Sequence, residues 1–188
     1  MKVHFIGSLS GNKINYAKII NAIKKLGYEV ITEHSITREI KDITNETPEQ
    51  SKTYVKKMIR WIKESDIVVV EVTHPEIGSG YELALALQYE KPVIALYTEG
   101  KDPKVLVGQG QISEKMQVLE YGENNLRMVL KDGLNDAKEM QDVRFNFFVS
   151  PRIVRYLDWI SRKKKIPRAV YLRNLIEKDL VKNKDFDN

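Results

Sequence analysis

Blocks of apolar residues are spaced along residues 1–140 in a way that predicts strands and helices in alternation. The clearest block is residues 67–72, where Ile67, Val68, Val69 and Val70 follow one another without polar alternation. Such a run is typical of a strand buried on both faces. Further strands are predicted at 3–6, 28–32, 93–97 and 116–119, and helices at 15–26, 48–62, 82–89 and about 124–140.

This alternation predicts the fold class. Repeated strand–helix–strand units set their strands side by side in a mainly parallel sheet with right-handed crossovers. We therefore expect an α/β domain over residues 1–140, with a flavodoxin-like (Rossmann-like) five-stranded sheet. The polar stretch 35–47 is predicted to be a solvated connection, with a cover over a site as the alternative. The stretch 99–111 follows the fourth strand and is a candidate second wall or subunit contact.

Residues 141–188 follow a different pattern. Between 143 and 149, Phe145, Phe147 and Val149 alternate with other side chains, which predicts a short strand. Ser150 and Pro151 then mark the start of a helix, and a second helix follows a lysine run. One strand and two helices of this length bury little surface alone, so we expect two copies to pair through their strands.

Composition limits the classes of protein to consider. The chain has 188 residues, 42% of them hydrophobic and 30% charged, and no apolar run approaches the roughly 20 residues that span a bilayer. The start of the sequence indicates a strand and a loop, not a signal peptide. The absence of cysteine excludes disulfides, thiolate nucleophiles and cysteine-bound zinc. We expect a soluble, cytoplasmic protein that does not engage a membrane.

The net charge of +5 is unevenly distributed. Residues 142–188 contain 12 basic and 6 acidic residues, a net charge of +6, whereas residues 1–141 have a net charge of −1. This asymmetry indicates two modules with different partners.

The segment from Asp66 to Glu82 contains the candidate chemistry. It joins the buried strand 67–72 to Gly78, Ser79 and Gly80, which are predicted to form a tight turn, with Glu82 on the first turn of the next helix. In an open α/β sheet, ligands bind beyond the carboxyl ends of the strands, where this turn lies. Carboxylates at both ends of one strand–turn unit are a plausible catalytic pair for chemistry on a sugar.

The chain resembles the nucleoside 2-deoxyribosyltransferase superfamily in the segments HFIGSLSG, YEVITEH, SDIVVVEVTHPEIGSGYELALAL and KPVIALY. That group includes the transferases proper and the 2′-deoxynucleoside 5′-phosphate N-hydrolases. The resemblance covers about residues 2–121 and keeps the order and approximate spacing of the blocks.

The resemblance implies a role for three residues. Glu82 would be the nucleophile that attacks the anomeric carbon and forms a glycosyl-enzyme ester, which water or another base then resolves. Asp66 would be a second acid that binds the sugar or protonates the departing base. His4 stands where the family often has a tyrosine that orients the nucleophile. A histidine there can bond the carboxylate, or become protonated and weaken the attack.

The resemblance also implies a substrate pocket, in which Glu76 bears on the choice between a nucleoside and a nucleotide. Nucleotide hydrolases of the family have a serine at the position of Glu76, which contacts the 5′-phosphate, whereas the nucleoside transferases have an acid. A carboxylate about 5 Å from a phosphate would cost roughly 3 kcal/mol, about 200-fold in affinity. Glu76 thus favours a nucleoside, with an exposed loop acid as the alternative, and Ser10 replaces an arginine of nucleotide-handling relatives. The predicted substrate-binding residues are Gly7, Ser8, Ser10, Glu76, Gly78 and Gly80.

The basic C-terminal segment resembles a ribbon-helix-helix module, whose paired strands enter the DNA major groove. Its predicted DNA contacts are Arg144 and Asn146 on the strand, with Lys164 and Arg168 near the start of the second helix. The alternative is a dimerisation module with a solvated basic rim.

Three functions remain open on these residues. The first is cleavage or transfer of the N-glycosidic bond of 2′-deoxyribonucleosides through Glu82. The second is hydrolysis of deoxynucleoside 5′-monophosphates, and the third is a DNA-binding regulator that senses a nucleoside or nucleotide. We expect no metal site and no cofactor, a small-molecule deoxynucleoside or deoxynucleotide as substrate, and a homodimer or higher homo-oligomer.

Overall fold

The chain is described by a computed structural model that covers residues 1–32, 36–38, 40–74, 76–107, 113–140 and 147–183. It divides into two compact units, Met1–Val143 and Arg144–Asn188.

The first unit is built on a five-stranded sheet. The strands run in the order β2-β1-β3-β4-β5, and every neighbouring pair is parallel. The predicted five-stranded parallel sheet is therefore confirmed, and its order is the one in which β1 and β3 meet at the switch point of a doubly wound fold. The bounds are β1 Lys2–Gly7, β2 Glu29–Ile31, β3 Ile67–Glu71, β4 Val93–Thr98 and β5 Met116–Tyr121.

Helices cover both faces of this sheet. Local sequence explains their starts: Asn12 caps α1 with its side-chain oxygen, and Thr47 and Gln50 form a capping box before α3. The helices of the first unit are α1 Lys13–Lys25, α2 Ile40–Thr44, α3 Pro48–Glu64, α4 Ile77–Gln88, α5 Lys104–Val107 and α6 Leu126–Glu139.

The strands bury alternate side chains in two separate cores. Phe5 and Val69 point to the face covered by α1 and α6, where they pack with Ile19 and Leu130. Residues of the opposite parity point to the face covered by α3 and α4, in a core that contains Ile6, Ile62, Val68, Val70 and Leu83. All five residues of β3 are buried, which confirms the interpretation of its apolar run.

The predicted turn before Glu82 is wrong. Gly78, Ser79 and Gly80 lie in the first turn of α4, because neither glycine has a positive φ and the N–H of Gly80 donates to the carbonyl oxygen of Glu76 at 3.0 Å. The helix therefore begins at Ile77, five residues earlier than predicted, and Glu82 lies in its second turn.

The second unit contains two helices, α7 Pro151–Lys164 and α8 Arg168–Leu180, as the sequence predicts. Leu157, Ile160 and Tyr171 are its buried side chains within the described part of the chain. The strand predicted at 143–149 lies mostly outside the described residues, and Phe147–Val149, which are described, have no regular structure. A ribbon-helix-helix arrangement stays a prediction.

Across the described ranges, no helix is both long and apolar enough to cross a membrane.

Candidate active site

A small cleft lies at the carboxyl edge of the sheet, beside the first turns of α4. Its volume is about 80 Å³, and its lining residues come from the end of β1 and the loop after it, the segment before α2, helix α3, and the N-cap and first turns of α4. They are Gly7, Leu9, Arg38, Tyr54, Glu76, Gly78, Ser79 and Glu82. Four of the predicted site residues, Gly7, Glu76, Gly78 and Glu82, thus line one cleft.

Glu82 is a buried carboxylate in this cleft. It is 6% exposed, on the face of α4 that packs against β1 and α3. Because Glu82 lines the cleft, its carboxylate can contact a small ligand there. Because it is buried, bulk water has little access to it.

His4 lies directly behind Glu82 in the middle of β1. Its ring is fully buried, and Nδ1 donates a hydrogen bond to the carbonyl oxygen of Ile31 at 3.1 Å. This bond fixes the proton on Nδ1, so Nε2 is the nitrogen that faces Glu82, at 3.9 Å from Oε2. That distance is too long for a strong hydrogen bond but short enough for an ion pair if the ring is protonated.

A hydrogen-bonded group of polar atoms forms the other side of the cleft. Glu76 Oε2 accepts hydrogen bonds from the Ser8 hydroxyl and from the backbone N–H of Leu9, the latter at 2.7 Å. Because the Ser8 hydroxyl donates to Glu76, the Ser10 hydroxyl donates in turn to Ser8 Oγ, at 2.7 Å. The structure therefore brings Ser8, Ser10 and Glu76 together, and the Glu76 carboxylate occupies donors of the kind that hold an anion.

Two side chains with a candidate role in the cleft, Tyr54 and Arg38, were not predicted from the sequence. Tyr54 comes from α3, and burial first, then the nearby charge of Glu82, raises the pKa of its phenol. Arg38 lies across the ring of Tyr54, with its guanidinium carbon 3.8 Å from the ring centroid, and it pairs with Glu46. The available signal was weak: Arg38 falls in the polar stretch after β2, where a solvated connection was the favoured interpretation.

Glycine is required at one position of the site for close packing, and at two others it leaves open space. A Cβ on Gly7 would stand 2.6 Å from the ring of Tyr16, so only glycine fits between β1 and that ring. At Gly78 the nearest atom to such a Cβ is 4.0 Å away, and at Gly80 nothing lies within 4 Å. Both α4 glycines leave open space beside the helix start, and Gly80 also lines the neighbouring cavity.

The structure does not bring Asp66 to this cleft. Asp66 precedes β3, at the amino edge of the sheet, and its carboxylate accepts the backbone N–H of Lys2 at 2.7 Å. Its charge also acts on Lys91, whose pKa is lowered by burial and partly restored by Asp66. The prediction paired the two acids because both flank one strand, but a strand places its two ends on opposite edges of the sheet.

A larger cavity adjoins the cleft. It has a volume of about 460 Å³ and shares Glu76 and Ser79 with the cleft, while Leu83, Pro103 and Leu106 give it an apolar wall. Small-molecule sites usually need ~300–1,000 Å³. The cleft and the larger cavity together have a volume in this range. A ligand could place one end beside Glu82 and the rest in the larger cavity.

The predicted DNA contacts belong to the second unit. Arg144 and Asn146 lie outside the described residues. Lys164 Nζ is 5.4 Å from the ring centroid of Tyr171, and Arg168 pairs with Asp158. Both described cations therefore have partners within their own unit.

Within the described ranges, no group of three or more histidine, aspartate or glutamate side chains is arranged to hold a metal ion.

Comparisons with known proteins assign the first unit. The sequence profile of the nucleoside 2-deoxyribosyltransferase family matches residues 8–128. A putative 2′-deoxynucleoside 5′-phosphate N-hydrolase 1 from Nematostella vectensis is 31% identical over 159 residues, covering 79% of this chain and 95% of the relative.

Two more proteins align over most of their lengths. A 5-hydroxymethyl-dUMP N-hydrolase from Tetraodon nigroviridis is 28% identical over 143 residues, covering 73% of this chain and 100% of the relative. The solved CMP N-glycosidase BcmB from Clostridium botulinum aligns with 72% of this chain and 99% of its own, with a TM-score of 0.49 and 16% identity. From the family match and the Nematostella relative, the chain belongs to the nucleoside 2-deoxyribosyltransferase family.

Proposed function

We propose that this enzyme breaks the N-glycosidic bond of a 2′-deoxyribonucleoside in two steps, with Glu82 as the nucleophile. In the first step a Glu82 oxygen bonds to C1′ while the bond from C1′ to the base nitrogen breaks and leaves its electron pair on the base. In the second step water or another base attacks C1′ and releases the carboxylate. The observation that carries this proposal is the buried Glu82 carboxylate in the wall of the cleft.

His4 would act on the nucleophile through its protonation state. With Nδ1 bound to Ile31, a neutral ring directs the lone pair of Nε2 toward Glu82 and donates no hydrogen bond to it, so the carboxylate keeps its negative charge. A protonated ring would pair with the same carboxylate and reduce its nucleophilicity. The proposal therefore assigns the productive state to neutral His4 and ionised Glu82.

The hydrogen bonds of Glu76 support a substrate without a 5′-phosphate. The hydroxyl of Ser8 and the N–H of Leu9 are donors suited to a phosphate, but both are directed to Glu76 Oε2. A phosphate in that position would meet the carboxylate charge, at the cost of about 200-fold in affinity estimated above. A free 5′-hydroxyl can instead donate to Glu76.

Deoxynucleoside 5′-monophosphates are the second candidate substrates. Two relatives that align over nearly their whole lengths are named a 5-hydroxymethyl-dUMP N-hydrolase and a putative 2′-deoxynucleoside 5′-phosphate N-hydrolase 1. For this chain to act on them, Glu76 would have to release Ser8 and Leu9 and turn away from the phosphate.

One assay separates these candidates. The full-length chain is incubated with deoxynucleosides and with the corresponding 5′-monophosphates, each with and without a second free base, and products are separated by chromatography. The proposal predicts release of the base from the nucleoside, and the added base tests whether transfer competes with hydrolysis. Absence of release from every substrate would overturn it.

The Glu76 substitution then tests the specificity argument. We expect Glu76→Ser to raise the ratio of kcat/KM for the monophosphate over the nucleoside by about 200-fold, because the repulsive charge is removed. Glu76→Gln is the matched control, since it keeps the size and removes only the charge. An unchanged ratio in both variants would contradict a role for Glu76 in excluding phosphate.

We further propose that the second unit makes the protein a homodimer or a higher homo-oligomer. Several of its apolar side chains are exposed, including Phe148, Trp159 and Ile176. Sedimentation of the full chain should give the mass of a dimer or a higher oligomer, and a monomer at micromolar concentration would contradict this. Titration with DNA at two salt concentrations tests the alternative, since phosphate-driven binding weakens steeply with salt.

A further inference from the structure

We propose that Arg38 stabilises the negative charge that develops on the departing base, an inference that rests on the proposed function. No residue of the sequence-based mechanism fills this role in the cleft, because Asp66 lies at the opposite edge of the sheet. Among the described residues that line the cleft, Arg38 is the basic one, beside two acids, Glu76 and Glu82.

The position of Arg38 is fixed from three directions. The ring of Tyr54 supports one face of the guanidinium at 3.8 Å, and Glu46 binds one terminal nitrogen. The backbone carbonyl of Arg38 accepts a hydrogen bond from Lys13 Nζ at 3.1 Å. The Arg38 side chain is 11% exposed, so much of its surface is already withdrawn from water.

A fixed guanidinium suits the chemistry of this bond cleavage. When the bond from C1′ to the base nitrogen breaks, its electron pair spreads from the ring nitrogen onto a carbonyl oxygen of the base. A guanidinium carries five N–H donors in a planar fork, and Glu46 uses one terminal nitrogen. Charge placed before the reaction, in a site with little water, stabilises the transition state most effectively.

The alternative is that a general acid protonates the leaving base, and Tyr54 is poorly suited to that role. Burial and the charge of Glu82 raise the pKa of Tyr54, so its phenol holds its proton more firmly than a free tyrosine. In the proposed step the C1′–nitrogen bond breaks, the C1′–oxygen bond to Glu82 forms, and the base leaves as an anion. Water protonates the base after it departs.

A series of leaving groups tests this role. Wild type and Arg38→Gln are compared on 2-deoxyribosides of uracil, 5-fluorouracil and 4-nitrophenol, or on their 5-phosphates if those are the form that wild type cleaves. We expect Arg38→Gln to reduce kcat about 100-fold for uracil and much less for 4-nitrophenol, which needs little stabilisation. A plot of log kcat against the pKa of the leaving group should therefore become steeper.

Two further variants separate this role from a structural one. Arg38→Lys keeps a charge without the planar fork, and we expect an intermediate slope. Arg60→Gln removes an exposed arginine of α3 that pairs with Glu64, and it should leave both rate and slope unchanged. A uniform loss across all leaving groups, or no loss, would overturn the proposal. Wild type that cleaves none of the substrates would instead refute the proposed function.

Discussion

Strand β3 has an acidic residue at its entry, Asp66, and leads at its exit to the helix that carries Glu82. At the amino edge, Asp66 accepts the N–H of Lys2, and Lys91 donates to the carbonyl oxygens of Lys63 and Ser65 at 2.8 and 2.6 Å. These contacts satisfy backbone atoms where elements begin and end. Asp66 lines neither the cleft nor the larger cavity beside it.

The carboxyl edge uses similar residue types for a different purpose. There Glu82 and Glu76 line an open cleft. Glu76 accepts hydrogen bonds from Ser8 and Leu9, and Glu82 lies 3.9 Å from the ring of His4. An acid beside a buried strand therefore has no fixed role. Its role depends on which edge of the parallel sheet it occupies, because the loops at the carboxyl edge form the ligand crevice.

The largest expected effect concerns the two acids themselves. Glu82→Gln should lower kcat by at least about 10³-fold, because the amide cannot form the ester, whereas Asp66→Asn should change it by no more than about twofold. Steady-state rates with the best substrate measure both. The asparagine retains an oxygen that can accept the N–H of Lys2, so the two substitutions are matched in kind. Equal losses in the two variants would remove the distinction between the edges.

The next effect concerns packing under the cleft. Gly7→Ala should lower the free energy of unfolding by about 1–3 kcal/mol, because the added methyl group would overlap the ring of Tyr16. Gly80→Ala is the control, since its methyl group enters open space, and it should be neutral or stabilising by up to about 1 kcal/mol. Urea denaturation measures both, and a stable Gly7→Ala variant would contradict the close approach.

One titrating residue at each edge should also change the stability of the protein at alkaline pH, in opposite directions. At the carboxyl edge, burial raises the pKa of Tyr121 to about 12, above the ordinary value of 10.0. The unfolded chain then loses this proton first, so the stabilising contribution of Tyr121 is present below pH 10 and is lost toward pH 12. Between pH 10 and 12 the free energy of unfolding should fall in both wild type and Tyr121→Phe. The fall should be smaller in the variant, by about 1–2 kcal/mol. Parallel curves would contradict the shift.

The smallest expected effect lies at the amino edge. Burial lowers the pKa of Lys91 below its ordinary value of 10.5, so the folded chain releases this proton before the unfolded chain does. The cost of holding the buried charge is therefore relieved as the pH rises toward 10.5, and this term increases stability. Lys91→Met should remove the increase. If the variant and wild type change identically with pH, Lys91 does not contribute.

Much of the fold could be predicted from the sequence because its signals are local. The unbroken run from Ile67 to Val70 predicted a strand buried on both faces, and the helix predicted from residue 48 does begin there, after the capping residue Thr47. The start of α4 was missed because two glycines favour a turn by propensity. In the structure both glycines adopt negative φ within the helix, so the turn propensity of glycine does not decide the conformation here.

The site was predicted only in part, for a related reason. Glu82, His4, Ser8 and Glu76 could be named as candidates because they lie within the segments that resemble the family. Arg38 and Tyr54 reach the cleft through long-range packing between the segment before α2 and helix α3, which no local pattern records.

The covalent bond between Glu82 and a deoxyribose is the most direct test of this account. Wild-type protein is mixed with its best substrate, quenched in acid during turnover, digested and examined by mass spectrometry. We expect the mass of one 2-deoxyribosyl group, with its phosphate if the substrate has one, on the peptide that contains Glu82, and no such adduct in Glu82→Gln. Turnover with an adduct on another residue, or with none at any quench time, would contradict Glu82 as the nucleophile.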